Sequence, residues 1–299
     1  MTERNSSVHQ SAICNPQSAI GASLCHPDPM KSCGACCGLY NWRDHSRKTL
    51  LPLLEKRTSL FFSCRRDPEL FRRACAKEPL SANPKLLETI HNCDFLGFVD
   101  GESKRVGCLL HPSVHRGRDL RDHCFYGAEI CAGHLCPSHA HLTGTEKKSV
   151  LAALEDWYLY GLVITDIDLV KEFFRHVQAR LGDSVREDRL EEAGIRGALR
   201  EYFSLKGSWR FASSENRLGK YFFSHAEYQL ARIEYEKNWG LKPSRFDRIL
   251  LSLSSEFRSR EEVREAESIV EGKIAGFVRA YEDSPFPPAL SPVPGERGG

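Results

Sequence analysis

A chain of 299 residues is long enough for one large domain or two modest ones, each with its own core, so size alone demands no metal or disulfide staple. Lys plus Arg number 42 against 40 Asp plus Glu, and the net charge of +2 excludes a global electrostatic pull towards nucleic acid or membrane. The distinctive number is the 12 cysteines.

All 12 lie at or before Cys136, and 10 of the 12 histidines lie at or before His141, so the composition changes sharply there. The N-terminus Met1-Thr2-Glu3-Arg4-Asn5-Ser6-Ser7 leads into no apolar run, and no later stretch is long enough to span a bilayer. This argues for a cytoplasmic protein without a membrane partner. In a reducing compartment, thiols read as metal ligands or redox groups before they read as a disulfide framework.

Residues 1–30 are polar, carry Pro16, Pro27 and Pro29, and lack periodicity, which predicts a poorly ordered arm with Cys14 and Cys25 as spare thiols. The knuckle Cys33-Gly34-Ala35-Cys36-Cys37-Gly38 follows. Two residues between Cys33 and Cys36 is a spacing at which a tight turn aims both thiols at one ion, with Gly34 expected to relieve the turn. Side chains of neighbours such as Cys36 and Cys37 diverge, so Cys37 either serves a second site or supports the first from behind.

Residues 43–91 read as a helical insertion. Asp44 is placed to cap a helix bearing Leu50, Leu53, Leu54 and Phe61; Asp67-Pro68-Glu69 opens a second, and Asn83-Pro84 a third. Cys64 and Cys75, ten residues apart with no companion thiol, read as buried small hydrophobes. The second cysteine block spans 92–141 and contains Cys93, Cys108, Cys124, Cys131 and Cys136, each beside a turn former or an aromatic. A segment this interrupted predicts loops and short strands around metal centres, with Phe95, Leu96, Leu109, Leu110, Phe125 and Tyr126 as an apolar shell.

Cys33-x-x-Cys36-Cys37, Cys93-x-Phe95-Leu96, Cys108-Leu109-Leu110-His111-Pro112 and Cys124 together resemble the YkgJ-type family of zinc- or iron-chelating domains. The resemblance covers roughly residues 30–136. Met30 stands where many members have a further cysteine, so Cys25 or a thiol of the 131–136 group would substitute; the usual Arg-Pro-x-x-Cys-Arg ending is also missing. The resemblance implies a metal or iron-sulfur protein of undefined activity. One related lineage methylates lysines on flagellin, but no residue here can be matched to that activity.

The candidate metal ligands are therefore Cys33, Cys36, Cys37, Cys93, Cys108, Cys124, Cys131 and Cys136, holding zinc or an iron-sulfur cluster. His111, His123 and His134, each within three residues of one of these cysteines, are alternative ligands or supporting hydrogen-bond donors. Four thiolates leave a centre anionic, and residues 1–142 carry 18 Lys plus Arg against 14 Asp plus Glu. These basic residues are dispersed in pairs, a pattern that argues against nucleic-acid binding. No phosphate loop, dinucleotide fingerprint, H-E-x-x-H or C-x-x-x-C-x-x-C is present, leaving catalysis open and no catalytic residue assigned.

From Thr145 the periodicity is helical. One helix is expected to carry Val150 to Leu162; another, capped by Thr165 or Asp166, stops at Gly182. Residues 185–206 carry an apolar stripe, and helices are expected near 225–239, 244–256 and 259–282. The Pro-rich 284–299 reads as a disordered tail. The expected fold is mainly α: a Cys-rich, loop-rich metal-binding lobe (31–142) packed on an α-helical bundle (143–283). The leading function is a structural or redox metal centre. The alternatives are an iron-sulfur-dependent protein-modifying enzyme such as a lysine methyltransferase, and a zinc-stabilised module whose helical half docks another protein.

Overall fold

The computed structural model describes residues 24–77, 83–213, 220–223, 226–229 and 232–284. Cys14 and nearly all of the expected C-terminal tail lie outside them. The protein is mainly helical and divides into two compact units: one runs to His134 and includes Asp156–Gly161, and the other holds Leu135–Glu155 and Leu162 onwards.

The first unit is already ordered at Leu24, contrary to the expectation for 24–30. Tyr160 Oη donates to the Leu24 carbonyl at 2.8 Å, and Asp28 gathers the amides of Met30 and Lys31 into a turn. A single turn of 3-10 helix, Ala35–Cys37, carries the knuckle and ends at Gly38, whose φ of 79° is the left-handed conformation that glycine tolerates best. Gly34 has an ordinary φ of −116°. Its requirement is space: a Cβ there would sit 3.1 Å from Val106 Cγ1 and 3.2 Å from Leu96 Cδ1.

Helix α1, Arg47–Ser63, turns Leu50, Leu53, Leu54, Arg57 and Phe61 inwards, the three-and-four spacing of one helical face. Asp44 braces its start, accepting from the Ser46 amide at 3.0 Å and from Thr49 Oγ1 at 2.5 Å. Helix α2, Pro68–Lys77, begins on Asp67, which accepts the amides of Glu69 and Leu70 at 2.9 Å. The third helix expected after Pro84 does not form. Asn41 donates to the Leu87 and Ile90 carbonyls and accepts the Leu87 amide, holding the backbone in an irregular loop that a helix would have to give up.

Strands β1, Leu96–Phe98, and β2, Val106–Cys108, pair antiparallel with Leu96 opposite Cys108, and β1 lies on α1. Single 3-10 turns at Pro112–Val114 and Arg121–His123 lead to α3, Gly127–Gly133. The 156–161 segment closes this unit: Tyr40 Oη donates to the Tyr158 carbonyl at 3.0 Å, and Phe98 packs edge-on to Trp157 at 6.0 Å.

The second unit opens with α4, Ser138–His141, and α5, Gly144–Ala153, the latter started by a Thr143–Glu146 capping box. The single helix expected from Val150 to Leu162 is two helices. Leu154 turns extended, and Asp156 accepts the Tyr158 and Leu159 amides, starting α6, Trp157–Ile164, afresh. Helix α7, Ile167–Leu181, is capped by Asp166 and stops at left-handed Gly182, as read from the sequence. Then come α8, Ala193–Phe203, and α9, Leu205–Ser208, on the expected apolar stripe. Where the spacing predicts a helix from 225, the backbone pairs β3, Lys220–Phe223, antiparallel with β4, Ala226–Gln229. The run Tyr221-Phe222-Phe223 and Tyr228 are residues that favour strands, which overrides the helical spacing. Shorter helices α10, Tyr235–Trp239, and α11, Asp247–Ser252, precede the long α12, Arg260–Asp283, which packs on α7 and α8.

Candidate functional site

Four chain segments of the first unit bring cysteines to one buried apolar cluster. Cys37 arrives at the end of the knuckle turn, Cys93 at the return from the helical insertion, Cys108 at the end of β2, and Cys124 and Cys131 on either side of the α3 start. Cys93 and Cys124 are buried with Phe61, Phe71, Phe95, Leu109, Leu110 and Leu120, and Cys37, Cys108 and Cys131 pack against that cluster half-buried. Phe61, Phe71 and Phe95 form an aromatic floor with centroids 5.1 to 6.2 Å apart.

The backbone fixes the approach of each thiol. The Cys93 amide donates to the Cys37 carbonyl at 2.9 Å, joining the two segments across the insertion. The Leu109 amide donates to the Phe95 carbonyl at 2.8 Å, fixing Cys108 relative to Cys93. Gly127, with φ 76°, reverses the chain, and Asp122 accepts the Ala128 amide at 2.9 Å, so α3 folds back over the preceding turn. As a result Cys124 Sγ and Cys131 Sγ stand 3.2 Å apart.

Burial pushes the Cys37 thiol well up from its ordinary value, and the neighbouring sulfurs of Cys93, Cys108, Cys131 and Cys25 add to the effect. Burial likewise pushes Cys93 up to about 12 and Cys108 up to about 11. Water is scarce around these sulfurs, and each opposes ionisation of the next.

Cys33 accepts from the Ala35 amide at 3.5 Å and is a neighbour of Tyr40, and Cys36 is exposed. Cys136 is buried in the second unit. Cys25, read as spare, is half-buried and neighbours Cys37. Cys64 and Cys75 are half-buried against the same apolar cluster. His111 Nδ1 is engaged by Ser113, His123 Nδ1 lies 3.2 Å from Glu69 Oε1, and His134 is exposed. Of the expected apolar shell, Phe95, Leu109 and Leu110 belong to this cluster, and Leu96 is buried on β1. Phe125 is 73% exposed and stacks on His91 at 4.5 Å, whereas Tyr126, 39% exposed, neighbours Cys37, Cys93 and Cys131.

Among the described residues, no group of three or more Cys, His, Asp or Glu side chains is drawn together closely enough to hold a metal ion, and no helix is long and apolar enough to cross a membrane. Comparison with known protein families, with curated proteins and with solved structures gives no match.

Arg57, which nothing in the sequence singles out, is a buried cation beside this cluster. It is 3% exposed in the middle of α1, donates from Nη1 to the Cys93 carbonyl at 3.1 Å, and reaches the exposed Asp94 only at 3.5 Å. Its signal was its place on the apolar face of α1, seven residues after Leu50 and four before Phe61. Arg121, paired with Asp119 at 2.7 Å, approaches the Cys131 carbonyl from another side. In the second unit, a polar recess of about 210 Å³ is lined by Ser213, Glu234, Asn238, Trp239 and Glu256 among others.

Proposed function

We propose that Cys37, Cys93, Cys108, Cys124 and Cys131 bind a thiophilic metal centre, zinc or an iron-sulfur cluster, that ties the knuckle to the rest of the first unit. The observation that supports this reading is that five cysteines from four separated segments pack in or against one buried apolar cluster. The donor set fits the group: soft sulfurs suit zinc and iron-sulfur centres and disfavour hard cations such as calcium and magnesium. When bound, such a centre supplies positive charge among the sulfurs and, in the cluster case, exchanges electrons. Arg57 and Arg121 supply charge of the opposite sign to the thiolates, Arg57 through the Cys93 carbonyl and Arg121 beside Cys131.

On this reading the chain is a cytoplasmic protein similar to the YkgJ-type zinc- or iron-chelating domains, with the metal in a structural or redox role. Anaerobic purification followed by metal analysis and an absorption spectrum tests it. Iron with acid-labile sulfide and a band near 400 nm identifies a cluster. A colourless protein that retains zinc through dialysis identifies a structural site, and absence of any metal that Cys93→Ser would remove rejects the reading.

A further inference from the structure

The feature the metal reading does not absorb is the closeness of one pair of sulfurs. Sulfurs bound to one tetrahedral zinc at about 2.3 Å stand about 3.8 Å from each other. A disulfide holds them at about 2.05 Å. Cys124 Sγ and Cys131 Sγ, at 3.2 Å, fall between the two.

The hairpin that carries them is locked by its own contacts. Asp122 accepts the Ala128 amide at 2.9 Å, the Gly127 amide donates to the Cys124 carbonyl at 3.4 Å, and Arg121 Nη1 reaches the Cys131 carbonyl at 3.5 Å. Its outer side meets water: Phe125 is 73% exposed, Ile130 is 56% exposed, and Cys131 itself is half-buried. A small oxidant therefore has a route to Cys131, and Cys124 waits behind it.

We propose that Cys124 and Cys131 are an oxidation site, a reversible dithiol–disulfide couple whose oxidant is a hydroperoxide. The Cys131 sulfur attacks one peroxide oxygen, the O–O bond breaks, and the departing hydroxide takes a proton to become water. Cys131 is then a sulfenic acid. The Cys124 sulfur attacks the Cys131 sulfur, the S–O bond breaks, and the second hydroxide leaves as water with the remaining thiol proton. Two thiols lose two electrons, and one hydrogen peroxide becomes two waters. The disulfide needs no metal, whereas its consequence rests on the thiolate-centre reading: closing the pair leaves Cys37, Cys93 and Cys108, one donor short of a four-sulfur set, and the cation leaves.

The experiment uses the reduced full-length chain, assayed for bound metal and then treated with one equivalent of hydrogen peroxide, alkylated and digested. Trypsin leaves Asp122–Lys147 in one piece, so cleavage after Glu129 is used to separate the two cysteines. The expected product is a Cys124–Cys131 linkage that dithiothreitol reverses, with at least half of any bound metal released as it forms. Cys131→Ser is expected to slow the loss of thiols at least tenfold, and Cys64→Ser to leave it unchanged. A linkage between other cysteines, or full alkylation of both residues after peroxide, overturns the proposal whether or not metal is present. If the reduced chain carries no metal yet still forms the linkage, the absent metal rejects the thiolate-centre reading and the linkage leaves the couple standing.

Discussion

Arg57 Nη1 donates to the carbonyl of Cys93 at 3.1 Å, a hydrogen bond from the buried face of α1 to the residue that returns the chain to the thiol pocket. The guanidinium also lies over the Trp42 ring at 5.9 Å, and its Nε meets no acceptor among the described residues. Burial holds its pKa below the ordinary arginine range. A charge kept out of water with so few partners is costly, and an anionic neighbour is what offsets it.

Arg57→Met, which keeps much of the volume, is therefore expected to behave differently with and without metal. It leaves the Cys93 carbonyl without its buried donor, a loss of about 1–3 kcal/mol. Urea denaturation should show the larger loss in metal-loaded protein, where the removed charge faced thiolates. An equal loss in both forms sinks the countercharge role.

Gly38→Ala tests the knuckle. At φ 79°, an added Cβ would lie 2.5 Å from the His91 carbonyl oxygen, a backbone atom that cannot swing aside. The strain of the left-handed conformation adds about 1 kcal/mol or more. The strand next to α1 is equally tight at Gly97, where a Cβ would meet Thr58 Oγ1 at 2.7 Å while that hydroxyl serves the Leu54 carbonyl and the Phe98 amide. Both alanine variants should lower the midpoint of thermal unfolding by several degrees. Gly101→Ala, with nothing within 4 Å of its Cβ, should not move it.

Protonation gives a further test at His26. Burial, reinforced by Arg105 and His111, lowers its pKa from 6.5 to about 4. The folded protein holds this ring neutral while the unfolded chain takes up a proton below 6.5. Its contribution is thus complete above pH 6.5 and disappears as the pH falls towards 4, on the order of 3 kcal/mol in all. The slope of stability against pH in that window should flatten in His26→Gln; an unchanged slope removes His26 as its source.

The thiols give the opposite sign. Cys93 and Cys108 titrate higher when folded than when unfolded, so the stability they contribute is present below about 9 and lost as the pH rises towards 11 to 12. Metal-free protein should weaken between pH 9 and 10.5. Metal-loaded protein, with the same sulfurs already ionised on the cation, should hold its melting temperature over that range.

In the second unit, Asp166 joins three elements. It accepts the Leu169 amide at 3.1 Å as the cap of α7, pairs with Lys206 at 2.6 Å and accepts Ser252 Oγ at 2.8 Å. Replacing it with Ala should cost about 2–4 kcal/mol, more than a solvent-exposed cap, because Lys206 and Ser252 lose a half-buried partner together. Asn, which keeps the cap, should recover part of the loss in chemical denaturation.

Local signals were readable and distant ones were not. Asp67-Pro68, Asp166 and Gly182 act on their own helix ends, and the chain bears those marks in linear order. The loop after Pro84 is decided by Asn41, more than 40 residues earlier, and the 220–229 hairpin by strand preference competing with a spacing that reads as helical. Within the knuckle, the chain turns Cys37 towards Cys93, Cys108 and Cys131. That choice follows from Gly38 and the Cys37–Cys93 backbone bond, neither of which spacing conveys. Phe125 reads as wrapping because aromatics usually do, but it follows Cys124 at a reversal that turns it outwards.

The six residues Asp156–Gly161 belong with the first unit although the chain on both sides of them belongs to the second. They bring Trp157 against Phe98, the carbonyls that hold Tyr40, and the hydroxyl that holds Leu24. The polypeptide therefore crosses between units three times, and no single cut yields either one whole. A shortened gene ending at residue 134 would encode a lobe with one wall missing, and its failure to express would say nothing about whether the lobe needs a metal.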